Sequence, residues 1–210
     1  MISGILPAGV SSVETFDDLA PAPLFAAEEM SLAGASPKRR AEFATARRCA
    51  RLALAELGIP PGPLPRGAGG APVWPAGVVG SMTHCAGYRA AAVGRAGDLD
   101  ALGIDAEPDL PLPTGVHGLV SVPAERDQYA ELARTAPHVS WDRLLFCVKE
   151  AVYKAWFPTA GEWLAFRDAT VEFAAGGAYT VRLRAGRPGP ARFAGRWTAA
   201  DGLLVAVIAA

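Results

Sequence analysis

In the stretch ALGIDAEPDL at residues 101–110, Asp105 and Glu107 stand two positions apart, directly after an apolar run. In an extended strand residues i and i+2 project to the same side, so these carboxylates face one direction with Cα atoms roughly 6.5 Å apart. At an effective dielectric of about 20 their repulsion is on the order of 2 kcal/mol. A hard divalent ion, typically Mg²⁺, offsets it through one or two carboxylates, waters and substrate phosphates. A strand end turning into solvent ahead of Pro108 offsets it too, and the pair alone does not choose between these.

A third carboxylate lies in FCVKEAVYKAWFP, Phe146–Pro158. On a helix, Phe146, Val148, Val152 and Ala155 form a mostly apolar side, while Lys149, Glu150, Tyr153 and Lys154 gather on another. Glu150 is then either a further metal ligand beside a phosphate-binding Lys154, or half of a solvated i,i+4 ion pair with it, worth a few tenths of a kcal/mol. Arg39 and Arg40 fall in the first turn of an earlier helix, where cations oppose the helix dipole and a bound phosphate reverses the sign. Arg40, Arg47 and Arg51 flank that helix's apolar stripe. Arg66 opens PRGAGGAP, whose Gly67, Ala68 and Gly69 let the backbone approach an anion closely. Ordinary solubilising arginines are the competing reading. No Walker sequence is present, since Gly-Lys-Ser/Thr does not follow.

GSMTHC places Ser81, Thr83, His84 and Cys85 together, yet a nucleophile is disfavoured. Val79 stands where a G-x-S-x-G elbow needs Gly, and adjacent His84 and Cys85 face opposite sides of a strand. His84 fits a phosphate contact or a satisfied core histidine.

The elements that must position these residues are legible from pattern. Ser36 as N-cap, Pro37 at the first helical position and Gly58 past the end bracket a helix with a buried stripe of Phe43, Ala46, Ala50, Leu54 and Leu57. After a Pro/Gly-rich connection, VVGSMTHCAGYRAAAVG reads as a hairpin turning at Ala86 and Gly87, with residues 101–107 as a third strand of one small sheet. A Pro-rich loop (108–115) precedes a weak helix near 123–133 and a strong one across Trp141–Phe157, stopped by Pro158. Four short runs near 169–173, 179–184, 191–198 and 203–208 predict a C-terminal antiparallel sheet, being too closely spaced for crossover helices. The fold class is α+β, with two helix-plus-sheet halves, residues 1–108 and 109–210.

With 210 residues, 51% of them apolar, the chain can bury a core. A formal charge of −1 disfavours bulk nucleic-acid binding. Cys49, Cys85 and Cys147 are odd in number, with no C-x-x-C pair, which disfavours a disulfide framework or a zinc site and fits a reducing compartment. With no signal-peptide pattern and no membrane-spanning run, the expectation is a cytoplasmic protein.

Taken in order, RRAEFATARRCARLAL, PRGAGGAPVWPAGVVGSMTHCAGYRAAAV, GIDAEP and FCVKEAVYKAW resemble the motif series of the 4′-phosphopantetheinyl transferases. The similarity is to the monomeric, enterobactin synthetase component D-like or surfactin-type branch, which activates siderophore, polyketide and nonribosomal peptide synthetases. It covers about residues 37–157. The resemblance implies pseudo-symmetric halves with coenzyme A and Mg²⁺ in the cleft between them, and apo acyl or peptidyl carrier proteins as partners. Asp105, Glu107 and Glu150 would hold the metal. Arg39, Arg40, Arg47, Arg66, Gly67, Ala68, Gly69, Thr83 and His84 would hold coenzyme A, with Lys154 at its diphosphate. Asp105, Glu150 and Lys154 would be the catalytic set. Two departures stand out: Phe146 replaces the Trp of W-x-x-K-E-A, and Arg66 replaces a Lys common in the loop. A Mg²⁺-dependent nucleoside-diphosphate hydrolase and a non-catalytic binding module are the rival readings.

Overall fold

The computed structural model describes residues 1–18 and 23–210. Two antiparallel sheets stack face to face, each covered on its outer side by a twenty-residue helix. The first sheet has the order β1-β3-β2, with β1 at Ser11–Thr15, β2 at Val78–Cys85 and β3 at Tyr88–Arg95. The second has the order β4-β8-β7-β6-β5, from β4 (Leu102–Pro108), β5 (Ala169–Phe173), β6 (Ala178–Leu183), β7 (Arg192–Ala200) and β8 (Leu203–Ala209). The helices are α1 (Ala26–Glu29), α2 (Pro37–Glu56), α3 (His117–Val120), α4 (Pro123–Thr135) and α5 (Trp141–Ala160).

The middle strands explain their own composition. Tyr88, Ala90 and Ala92 of β3 pack on Leu102, Ile104 and Ala106 of β4 and on Leu203, Val205 and Val207 of β8. The opposite face of β3, Ala91 and Val93, meets Cys49, Ala50, Ala53 and Leu54 of α2. Leu204, Ala206 and Ile208 on the far side of β8 face α5. Strands buried on both faces lose the polar alternation of a half-exposed sheet, which is why YRAAAV and LLVAVI read as continuous apolar runs.

α2 forms as expected: the Ser36 hydroxyl accepts the Arg39 N–H at 3.2 Å, and Pro37 opens the first turn. α5 does not stop at Phe157. It carries Pro158 inside and ends at Gly161, in the left-handed conformation (φ 67°), whose N–H donates to Phe157 C=O at 2.8 Å. A proline this near the C-terminus removes only one i→i−4 bond.

The strand at 102–108 differs from expectation more deeply. It pairs along its whole length with β8 and not with the hairpin, so it joins the second sheet instead of being the third strand of the first. Its free edge lies beside β2, where the Ser81 and Thr83 hydroxyls accept the N–H groups of Ile104 (3.0 Å) and Ala106 (3.1 Å). Side-chain oxygens thus replace a ladder and satisfy an edge that would otherwise be open. Strand β1, half-buried throughout, was not signalled by sequence pattern. Among the described residues no helix is long and apolar enough to cross a membrane.

Candidate active site at the junction of the two sheets

Alternation along β4 sends Ile104 and Ala106 into the inter-sheet layer and Gly103, Asp105 and Glu107 toward α5. At Gly103 the helix comes so near that an added Cβ would lie 2.0 Å from Ala151 C=O. That approach lets Lys154 reach over the strand. Its Nζ donates to Ile104 C=O (3.0 Å), Met82 C=O (3.3 Å) and Asp105 Oδ1 (2.7 Å). The Thr83 hydroxyl donates to the same Oδ1 at 3.0 Å. Asp105 is 6% exposed, and its other oxygen, Oδ2, is buried with no hydrogen-bond partner among the described residues.

Glu107 pairs with Arg143 at 2.9 Å. Burial, then the charge of Asp105, raises the Glu107 pKa against the pull of Arg143. Burial first, then Asp105 and Glu107, likewise raises that of Glu150, with Lys154 opposing. The Glu150 side chain makes no hydrogen bond or ion pair with the described residues, so of the two readings the solvated Glu150–Lys154 pair does not form; Lys154 is spent on Asp105. Three carboxylates therefore share two cations, leaving one net negative charge in a half-buried setting.

Lys149, expected beside Glu150, turns the other way. It is 2% exposed, and its Nζ donates to Glu125 (2.8 Å), Val120 C=O (2.8 Å) and Phe166 C=O (2.9 Å). Glu125 also accepts the N–H groups of Val122 and Val171, both at 2.8 Å, so one buried pair ties α4, α5 and β5 together.

Of the arginines, Arg39 meets His84: its Nη1 is hydrogen-bonded to His84 Nε2, with Glu42 3.7 Å from each. Burial, then the Arg39 charge, holds the His84 pKa below its usual value. Arg40 pairs outward with Glu29 at 2.5 Å. Arg47 is buried, its Nε donating to Leu64 C=O at 2.9 Å and its guanidinium stacked 3.2 Å from the Phe43 ring centroid, so it supports the loop from behind. Thr83, 2% exposed and already bonded to Asp105 and Ala106, is likewise a support. Arg66 is exposed, its guanidinium against Gly70. Gly67 donates its N–H to Ala71 C=O at 2.7 Å, Ala68 is exposed, and Gly69 (φ 59°) packs on the Phe157 ring, where a Cβ would sit 2.3 Å away.

Two cavities meet at Glu150 and Tyr153. One, of about 240 Å³, runs between the Gly69–Gly70 turn, Trp74, Met82 and Phe157, with Lys154 on its wall. The other, of about 180 Å³, is bounded by Trp163 and Phe166. Cys85 is no nucleophile here: burial, then Glu107 and Asp105, pushes its thiol up to about 12.

The donors fit a hard divalent cation in their chemistry: carboxylate oxygens throughout, one of them buried and orphaned. They do not form a closed cage, since no three His, Cys, Asp or Glu among the described residues are grouped tightly enough to hold a metal. Sequence reasoning missed Arg143, Glu125 and the aromatic walls Trp74 and Trp163. Only Arg143 left a signal, standing two helical turns before Glu150.

Comparison with known proteins bears on this geometry. The family model for the 4′-phosphopantetheinyl transferase N-terminal domain matches residues 27–94, and that for the 4′-phosphopantetheinyl transferase superfamily matches residues 101–207. The 4′-phosphopantetheinyl transferase Svp of Streptomyces mobaraensis is 50% identical over 100% of this chain and 89% of its own length. For PptT of Mycobacterium tuberculosis the figures are 50%, 82% and 79%. For Npt of Nocardia iowensis they are 46%, 100% and 99%. A junction of two sheets that assembles Asp105, Glu107, Glu150 and Lys154 therefore has close kin along the whole sequence, and this chain belongs to the 4′-phosphopantetheinyl transferase superfamily.

Proposed function

We propose that the protein transfers the 4′-phosphopantetheine of coenzyme A to a serine of an apo acyl or peptidyl carrier protein, with Asp105, Glu107 and Glu150 holding Mg²⁺. The observation that carries the metal part is the buried, partnerless Oδ2 of Asp105 amid three carboxylates that only two cations offset. Bound there, Mg²⁺ supplies positive charge to the diphosphate of coenzyme A.

The chain's own residues do the rest. The serine oxygen attacks the phosphorus that bears pantetheine, the bond to the bridging oxygen breaks, and 3′,5′-ADP leaves with that oxygen. Glu150, whose side chain has no hydrogen-bond or ion-pair partner among the described residues, takes the serine proton. Lys154, held over β4 by two carbonyls, places its ammonium where charge grows on the transferring oxygens. Arg39 and His84 at the mouth, Arg40 and Arg66 at the surface, and the Gly67–Gly69 loop contact the phosphates and adenine, while Arg47 and Thr83 hold those elements in place. The two cavities flanking Glu150 give the pantetheine arm and the carrier serine separate approaches to one centre. Because one chain supplies both walls, the protein acts as a monomer. Its three free cysteines suit the cytoplasm.

Purified protein, coenzyme A, Mg²⁺ and apo carrier should yield a carrier heavier by one phosphopantetheine, read by mass spectrometry. Glu150→Gln should abolish transfer and leave the circular dichroism unchanged. Unmodified carriers from several pathways, or 3′,5′-ADP released with no carrier present, would overturn the assignment.

A further inference from the structure

Arg143 lies outside every motif of the resemblance, yet all three of its guanidinium nitrogens are engaged at the site. Nη1 donates to Glu107 Oε2 at 2.9 Å, Nε to Leu110 C=O at 3.0 Å and Nη2 to Pro111 C=O at 3.1 Å. Both members of the ion pair are about one-fifth exposed. One side chain of α5 thus straps down the turn after β4 and supplies the countercharge of a carboxylate on it. A planar guanidinium does both at once from three separate nitrogens held in one fixed fork, whereas a lysine offers a single nitrogen at one point.

We propose that Arg143 is a positioning residue that holds Glu107 by one oxygen and weakens the site for a bare divalent ion, so that the metal binds productively together with a diphosphate. This rests on the metal reading above. The electrostatics follow from the charge count: with Arg143 and Lys154 in place the three carboxylates carry one net negative charge, and without Arg143 they carry two. A dication gains from each unit of negative charge, and the gain is large where solvent is partly excluded. A diphosphate brings its own negative charge and restores affinity in the intact site.

Isothermal titration of the full chain with MgCl₂ alone, then with MgCl₂ and 3′,5′-ADP, separates the alternatives. Arg143→Met should bind bare Mg²⁺ on the order of tenfold more tightly than the parent chain. Arg143→Lys keeps the charge and loses the fork, so its bare-ion affinity should stay near the parent's. Amide exchange at Asp109, Leu110 and Leu112 should quicken in both variants, as a control that both lose the strap. Arg143→Gln replaces Arg143→Met if the latter does not fold. Equal tightening in the Met and Lys variants, or none in either while Asp105→Asn still loses Mg²⁺, overturns the role of Arg143 and leaves the metal assignment standing. No Mg²⁺ uptake by any form, with or without the nucleotide, overturns both.

Discussion

Replacing Gly103 with alanine tests whether the close approach of α5 to β4 assembles the site. The new Cβ would lie 2.0 Å from the Ala151 carbonyl oxygen and 2.8 Å from the Ala155 nitrogen, where real Cβ contacts essentially never fall below 3.0 Å. Both obstacles are backbone atoms of a helix packed into the C-terminal core, so no flexible side chain can swing away to relieve them. Relief requires α5 to lift by about 1 Å, the difference between the 2.0 Å contact and that floor. Overpacking of this kind costs roughly 1–3 kcal/mol, and a backbone clash belongs at the upper end. The same shift would stretch the 2.7 Å bond from Lys154 to Asp105 beyond hydrogen-bonding range. Misplacement of reacting groups by that amount costs on the order of 10²-fold in rate. Urea unfolding should show a stability loss of about 2 kcal/mol or more, and carrier modification should fall about a hundredfold in the variant that remains folded. A variant with an unchanged unfolding midpoint and a rate within about twofold of the parent would refute the claim that this contact sets the geometry.

Three further outcomes follow from particular contacts. Lys149→Met leaves Glu125 charged and buried and strips donors from the Val120 and Phe166 carbonyls, so thermal or urea unfolding should report a loss of roughly 3–5 kcal/mol, and a loss under 1 kcal/mol would contradict the buried pair. His84 should titrate by NMR below the ordinary histidine range, because burial and then Arg39 disfavour its cation, and Arg39→Gln should move it back up. Since the unfolded chain binds that proton more readily than the folded one, the His84 contribution makes stability fall as pH drops from about 6.5 into the lowered range, and a midpoint rising with acid in the parent but not in His84→Gln would reverse the sign. Ser36→Ala removes the cap on α2 and should cost about 1 kcal/mol, with transfer at saturating coenzyme A unchanged.

Part of the candidate site is legible in local pattern. The pairing of Asp105 with Glu107 on one side of a strand needs only a period of two, and the α2 boundaries need only a serine, a proline and a glycine. What misled was symmetry of distance. Residues 102–108 follow a hairpin closely, so proximity suggested a third strand of that sheet, whereas the partner, β8, lies about a hundred residues on and leaves no local trace. Lys149 misled for a related reason. Helical periodicity assigns it an angle next to Glu150, but the buried Glu125 that captures it sits on another helix.

The sequence by itself determined the residue types capable of chemistry, their local spacing and the elements that carry them, because backbone periodicity and capping act within a few residues. Only the tertiary structure decided which cations those carboxylates meet. Lys154 pairs with Asp105 instead of Glu150, Arg143 pairs with Glu107, Arg47 turns inward, and one oxygen of Asp105 is left without a partner. Those choices depend on two sheets stacking and on a glycine letting a helix come close, and such contacts join residues that no local pattern relates.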